Sequence, residues 1–312
     1  MNKLNILFLS DVSSVSFVQK LNDEFTVFYR VEDLKYEEFF KIDIIWSHLG
    51  FKIDCEFICK FPNVKYVICP VTGINHIDVD YINSLKIRLI TLRGEQAFLS
   101  KVSATAEHTW AIFLALQKNV INAHFSITKL QYFNRNSFDS AQLAGKSVGI
   151  VGCGRIGKMI AKYALSFNMK VYYYDIKIIK TSKRFTFLNL SQLLMVSDYV
   201  FLTASYSKEF HYFFDINMFK LMKKSSVFIN TSRGELVNEK DLIYSLSNNI
   251  IAGAALDVFD NELNFDTNTN ELVKYATDNS NLILTPHIGG RSTDALDLVE
   301  NYLLNKLKKI IN

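Results

Sequence analysis

Short apolar runs alternate with amphipathic, charged segments along almost the whole 312-residue chain. In the first third the apolar runs occupy residues 4–10, 25–30, 42–47, 64–70 and 87–92. Strands that alternate with helices form parallel sheets, because each crossover lays a helix over one face of the sheet. The alternation therefore predicts an α/β protein.

The alternation pauses once, and this pause predicts two units. Residues 103–126 carry apolar side chains at helical spacing, which predicts one long helix at the junction. Strand-like runs then resume with KSVGIVG, MKVYYYD, DYVFLTA, SSVFINTS, IAGAALDV and NLILT. A last amphipathic helix is predicted over about 293–311.

Composition excludes several classes of protein. Hydrophobic residues make up 49% and charged residues 21%, and the net charge of +4 is too small to indicate nucleic acid binding. No apolar stretch approaches the ~20 residues of a membrane span, and the N-terminus has no signal-peptide cleavage site. The four cysteines (Cys55, Cys59, Cys69 and Cys153) lack metal-binding spacing, so we expect no metal, buried thiols and a cytoplasmic protein.

A glycine-rich loop is the most specific local motif. Gly152, Gly154 and Gly157 form G-x-G-x-x-G between a predicted strand and a predicted helix, which suits a dinucleotide pyrophosphate at the helix N-terminus. Asp175 ends the next strand, where a carboxylate can accept hydrogen bonds from both ribose hydroxyls and would repel the extra phosphate of NADP. We therefore favour NAD, although Lys177 lies close by. A glycine turn without ligand and an S-adenosylmethionine-dependent methyltransferase are the alternatives.

Polar residues follow three later strands. Arg233 follows SSVFINTS, Asp257 ends IAGAALD with Glu262 shortly after it, and His287 follows NLILTP. Ligands of open parallel sheets sit beyond the carboxyl ends of the strands, so these residues are expected on the cofactor side. A guanidinium that holds a carboxylate and an imidazolium oriented by a carboxylate are what reduction of a 2-oxo acid requires.

The motifs LAGKSVGIVGCGRIGKMIA, INTSRGELVNEKDL, AALDVFDNE and TPHIGG together resemble the D-isomer-specific 2-hydroxyacid dehydrogenase family over nearly the whole chain. The resemblance implies two Rossmann-like domains with parallel sheets and an active site in the interdomain cleft. Residues 1–101 and 289–312 would form the substrate domain, and residues 102–288 the NAD-binding domain. It also implies a homodimer.

The same resemblance implies roles for individual residues. The catalytic set would be Arg233, Glu262 and His287, with His287 as acid/base, Glu262 as its partner and Asp257 at the nicotinamide carboxamide. The NAD-binding set would be Gly152, Gly154, Arg155, Ile156, Gly157, Asp175, Thr203, Thr231, Asp257, His287 and Gly289. The substrate-binding set would be Val71, Thr72, Gly73, Arg233 and His287.

The chain departs from the family pattern in three places, one of them Arg291, which often corresponds to a small residue in relatives. Thr203-Ala204-Ser205 replaces a frequent His-x-Pro near the cofactor, and Leu263 replaces the proline that usually follows the catalytic glutamate. Arg93, Lys101 and Arg291 would suit a substrate with extra negative charge if they faced the active site. We expect an NAD-dependent enzyme acting on a small D-2-hydroxy acid and its 2-oxo acid. The alternative is a catalytically silent NAD sensor or scaffold that keeps the fold.

Overall fold

The computed structural model of the chain describes residues 3–10, 13–178 and 184–311. The chain divides into two compact units. The first unit is Met1–Val102 together with Arg291–Asn312, and the second is Ser103–Gly290. Because α/β alternation fills each unit, each one has a parallel sheet of its own.

The strands of the described residues form two wholly parallel sheets. In chain order they are β1 (Asn5–Leu9), β2 (Thr26–Phe28), β3 (Ile44–Ser47), β4 (Tyr66–Cys69), β5 (Arg88–Thr91), β6 (Ser147–Val151), β7 (Lys170–Tyr174), β8 (Phe185–Phe187), β9 (Tyr199–Leu202), β10 (Val227–Asn230), β11 (Gly253–Leu256) and β12 (Leu282–Leu284). The first sheet has the order β2-β1-β3-β4-β5, and the second has the order β12-β11-β10-β9-β6-β7-β8. The predicted α/β class and the two Rossmann-like domains are confirmed.

The α-helices of the described residues lie between successive strands, except the last, which follows β12. In chain order they are α1 (Val15–Glu24), α2 (Tyr36–Phe39), α3 (Cys55–Ile58), α4 (Val79–Ser84), α5 (Gln96–Leu99), α6 (Ala104–Gln117), α7 (Val120–Thr128), α8 (Arg155–Ser166), α9 (Leu190–Val196), α10 (Ile216–Leu221), α11 (Glu239–Ser247), α12 (Glu271–Asp278) and α13 (Thr293–Ile311). The last of them, α13, completes the first unit and has the predicted bounds. In the described residues no helix is long and apolar enough to cross a membrane.

Each sheet is covered on both faces, and each unit therefore has two hydrophobic clusters. In the second unit one cluster packs around Trp110 and Phe113 of α6, and the other around Phe214, Phe219 and Phe228. The central strands of this sheet are buried along their whole length, which explains their continuous apolar sequence. A sheet fixed in this way presents the ends of its strands as rigid positions for functional side chains.

Two expectations from the sequence were wrong. The single helix over 103–126 is two helices, because Asn119 adopts the left-handed conformation (φ +53°) between α6 and α7. Asparagine tolerates this conformation better than most residues, so apolar spacing alone did not reveal the break. Cys55 and Cys59 are exposed rather than buried, since α3 is a single turn whose buried residue is Ile58.

Candidate active site

The glycine loop lies between β6 and α8, and each of its three glycines has a different environment. Gly152 has φ +92°, and a Cβ there would lie 2.5 Å from the Cα of Ala204. A Cβ on Gly157 would lie 2.6 Å from the carbonyl oxygen of Gly152, so this glycine lets the helix pack on the strand. At Gly154 a Cβ would meet no described atom within 4 Å. Packing therefore does not demand glycine at Gly154, and the open space beside it suits a ligand.

The amino end of α8 and Asp175 together fit a dinucleotide. Gly154 is the N-cap of this 12-residue helix and has no side chain to cap it, so the positive end of the helix dipole suits an anionic group here. Asp175 follows β7, and its Oδ2 accepts a hydrogen bond from the Cys153 N–H at 2.9 Å. The carboxylate predicted to bind ribose thus lies against the loop predicted to bind pyrophosphate.

The other predicted NAD-binding residues of this region differ in what their side chains do. Burial lowers the pKa of Arg155, and Ile156 packs on the hydrophobic core. The Thr203 hydroxyl donates to the Gly152 carbonyl at 2.6 Å, so it braces the glycine turn. Thr231 is buried, and its hydroxyl lies 2.6 Å from that of Thr109. Their contacts with NAD stay predictions.

The sheet order brings the predicted catalytic residues to one edge. Strands β10, β11 and β12 are neighbours, so the segments that carry Arg233, Asp257 and His287 leave the sheet side by side. Arg233 follows β10, and among the described residues its guanidinium makes one hydrogen bond, from Nη1 to the Ser232 carbonyl at 2.6 Å. Burial lowers the pKa of Arg233, and the nearby Glu262 charge acts in the opposite direction. Most of the guanidinium donors thus remain available to an anion.

The imidazole of His287 is paired with Glu262. Its Nδ1 lies 2.6 Å from Glu262 Oε2, with side-chain exposures of 24% and 33%. Glu262 Oε1 also accepts the Phe259 N–H at 2.9 Å, which fixes the carboxylate. Since Glu262 occupies Nδ1, the other ring nitrogen, Nε2, is the one that can exchange a proton with a ligand. This is the geometry of an oriented acid/base.

Asp257 is almost fully buried and holds the turn that carries His287. Its Oδ1 accepts from the Thr285 hydroxyl at 2.6 Å and from the Ile288 N–H at 2.9 Å, and its Oδ2 accepts from the Gly289 N–H at 2.8 Å. His108 Nε2 of α6 lies 3.1 Å from Oδ1. Burial, the largest single cause, raises the pKa of this carboxyl. The hydrogen bonds, that of His108 first, together outweigh burial, so the pKa lies below its ordinary value.

This network explains a strained backbone. His287 has φ +51°, in the left-handed region, which only a few per cent of non-glycine residues adopt. The two N–H groups that follow it are anchored on Asp257, and a Cβ on Gly289 would lie 2.8 Å from Asp257 Oδ2. Gly289 therefore allows the close approach. The contact of Asp257 with the nicotinamide carboxamide stays a prediction. Of the two carboxylate oxygens of Asp257, Oδ2 accepts fewer hydrogen bonds from the described residues than Oδ1 does.

The predicted substrate loop belongs to the first unit. The loop of Val71, Thr72 and Gly73 begins two residues beyond the end of β4, at the carboxyl edge of that sheet. Arg93, Lys101 and Arg291 are exposed in the same unit. Their roles toward substrate stay predictions.

Two residues of the second unit were missed by sequence reasoning, His108 and Glu239. Glu239 begins α11, and its Oε1 accepts the Asp260 N–H at 2.7 Å. Burial is the main cause that raises the pKa of Glu239, to about 7. Glu239 stands inside the motif INTSRGELVNEKDL and His108 inside the helix predicted over 103–126. Nothing in their local spacing points to partners 21 and 149 residues away.

Comparison with known proteins agrees with this arrangement. Residues 110–289 match the family described as "D-isomer specific 2-hydroxyacid dehydrogenase, NAD binding domain". A provisionally named 2-hydroxyacid dehydrogenase of Staphylococcus haemolyticus is 30% identical over 272 residues, which are 85% of this chain and 81% of the relative.

Solved structures extend the likeness to both units. The D-lactate dehydrogenase of Aquifex aeolicus, complexed with NAD and lactic acid, is 26% identical, with a TM-score of 0.84 over 98% of this chain and 95% of that one. A glyoxylate reductase from Paecilomyes thermophila is 22% identical, with a TM-score of 0.82 over 100% of this chain and 96% of the other, and shows the shared fold.

Proposed function

Because the chain belongs to the D-isomer-specific 2-hydroxyacid dehydrogenase family and is an NAD-dependent oxidoreductase, we propose that it interconverts a small D-2-hydroxy acid and its 2-oxo acid. The observation that carries this proposal is the pair of His287 and Glu262, whose side chains lie 2.6 Å apart. His287 follows β12, and Arg233 follows β10, which is separated from β12 by one strand of the same sheet. A catalytically silent NAD sensor would not require an imidazole that is oriented by a carboxylate.

The residues divide the work as follows. NADH supplies the hydride when it is bound. Arg233 holds the substrate carboxylate and polarises the oxo group, since its partly buried guanidinium interacts strongly with an anion. His287 gives the proton on Nε2 to the substrate oxygen, and Glu262 on Nδ1 stabilises the imidazolium before the transfer. The backbone around Val71, Thr72 and Gly73 is proposed to bind the same carboxylate.

The test is NADH consumption by the purified protein across a panel of 2-oxo acids. The panel contains glyoxylate, pyruvate, hydroxypyruvate, 3-phosphohydroxypyruvate and 2-oxoglutarate, and the ranking reports whether Arg93, Lys101 or Arg291 favours a second anion. We expect turnover on at least one of them and a loss of at least ~100-fold in kcat for His287→Ala. His124→Ala, an exchange on α7, is the control. Absence of turnover with intact NADH binding would instead support a sensor or scaffold.

We further propose that two copies associate through the second unit. Large apolar side chains of α7 and the following segment are exposed, among them Leu130 at 63% and Phe133 at 74%. An apolar groove lined by Leu114, Val120 and Phe167 includes the first residue of α7. The second unit therefore offers both exposed apolar side chains and an apolar groove that could receive those of a second copy.

Sedimentation analysis tests this association. A dimer is expected for the unmodified protein and a monomer for Phe133→Asp. Tyr36→Asp changes an equally exposed aromatic residue (79%) of the first unit and should leave the dimer intact. A monomeric unmodified protein would refute the proposal.

A further inference from the structure

Two carboxylates hold one turn of the candidate site. Glu262 Oε1 accepts the N–H of Phe259 at 2.9 Å, and Glu239 Oε1 accepts the N–H of the next residue, Asp260, at 2.7 Å. Glu262 belongs to the turn itself, whereas Glu239 reaches it from the amino end of α11. The turn that presents Glu262 to His287 is therefore fixed from outside by Glu239.

The segment that leads to Glu239 also carries Arg233. The next residue, Gly234, is packed so closely on the turn that a Cβ would lie 1.8 Å from the carbonyl carbon of Phe259. Segment 233–239 and turn 258–262 thus touch at both ends, at Gly234 and at Glu239. Glu239 is thus connected through this turn to Glu262.

The charges around Glu239 come from three elements. Asp260 and Glu262 lie on the turn, and both raise the pKa of Glu239 after the larger effect of burial. Glu235 lies in the segment between Arg233 and α11, and Arg233 is the cation of that segment. Tyr212, from the loop before α10, donates a hydrogen bond to Asp260 Oδ2. His287 is paired with Glu262, so Glu262 stands between the imidazole and Glu239 in this set of charges.

We propose that Glu239 is a positioning residue that acts on His287 through Glu262, by holding the turn and by placing a second, titrating negative charge behind the pair. This inference rests on the proposed function. An ionised Glu239 favours the imidazolium that reduction needs, and a protonated Glu239 keeps the hydrogen bond but removes the charge. Burial raises the pKa of Glu239 to about 7, so the charge changes in the neutral range.

The test compares Glu239→Gln with Glu271→Gln. Both glutamates are the first residue of a helix capped by an asparagine side chain, but Glu271 is exposed and lies on α12. Glutamine keeps the acceptor for the Asp260 N–H and removes the charge. For Glu239→Gln we expect the alkaline decline of kcat/KM for reduction to move to lower pH by about 0.5 unit or more. Glu271→Gln should leave it in place.

A second substitution separates charge from position. Glu239→Ala removes the acceptor as well, and we expect a further fall in kcat of about tenfold with KM changed less, because Glu262 is then loosely held. A purely structural role predicts that Glu239→Gln behaves as the unmodified enzyme at every pH. An unmoved alkaline limb in Glu239→Gln overturns the proposal.

A readout without turnover keeps this inference distinct from the proposed function. The ring signals of His287, followed by NMR against pH, should change at lower pH in Glu239→Gln than in the unmodified protein or in Glu271→Gln. This shift without any 2-oxo acid reduction would mean that the function is misassigned while the coupling stands. Turnover by the unmodified enzyme with coincident ring titrations would overturn the coupling alone.

Discussion

Glu239→Gln, which removes the Glu239 charge, should stabilise the second unit at neutral and alkaline pH but not at acidic pH. Burial raises the pKa of Glu239 from 4.5 to about 7, so the native state holds a proton that the unfolded state has already lost. The associated stability is fully present below pH 4.5 and is lost as the pH rises towards 7. This difference corresponds to about 3 kcal/mol, and screening at a side chain that is not fully buried reduces it to about 2. A glutamine at this position does not ionise, so its contribution to the free energy of unfolding does not fall as the pH rises.

Urea unfolding at pH 5 and pH 8 measures this difference. Trp46 and Trp110 are the two tryptophans of the chain, one in each unit, so a Trp46→Phe background leaves Trp110 to report on the second unit. Between pH 5 and pH 8 we expect the advantage of Glu239→Gln over the parent to grow by about 2 kcal/mol. Glu271→Gln should differ from the parent by an amount that does not change with pH. A constant difference for Glu239→Gln as well would refute the reasoning.

Three further substitutions probe the site. Glu262→Gln should move the protonation limb of the rate profile to lower pH, because it weakens the stabilisation of the His287 imidazolium; an unmoved limb would leave Glu262 without that role. Asp175→Ala should narrow the preference for NADH over NADPH in paired kinetic assays, and an unchanged ratio would contradict its assignment to ribose. Gly234→Ala should cost about 3 kcal/mol in urea unfolding, since its Cβ would lie 1.8 Å from the Phe259 backbone, and wild-type stability would refute that packing.

Local sequence was enough for the fold class and the glycine loop. The alternation of apolar runs with amphipathic segments reports strands buried on both faces, which only a helix-covered parallel sheet provides. The glycine pattern carries its own physics, since Gly152 needs a positive φ and Gly157 needs contact with the Gly152 carbonyl. Such requirements act between residues close in the chain, and a sequence records them directly.

The sequence also named the residues at three strand ends, but it could not say what holds them. Arg233 and His287 stand out because their side chains are unusual after apolar runs. Their relative position depends on β10, β11 and β12 being neighbours, which is a property of the sheet order.

The tertiary structure alone decided the supports of the site. His108 reaches Asp257 across 149 residues, and Glu239 reaches the Asp260 N–H across 21. Neither contact has a characteristic spacing, since each joins a helix to a turn that only the folded sheet brings near it. The raised pKa of Glu239 has the same origin, because burial beside other carboxylates is a consequence of packing. The sequence determined which chemical groups the protein has, and the fold determined how they are oriented and charged.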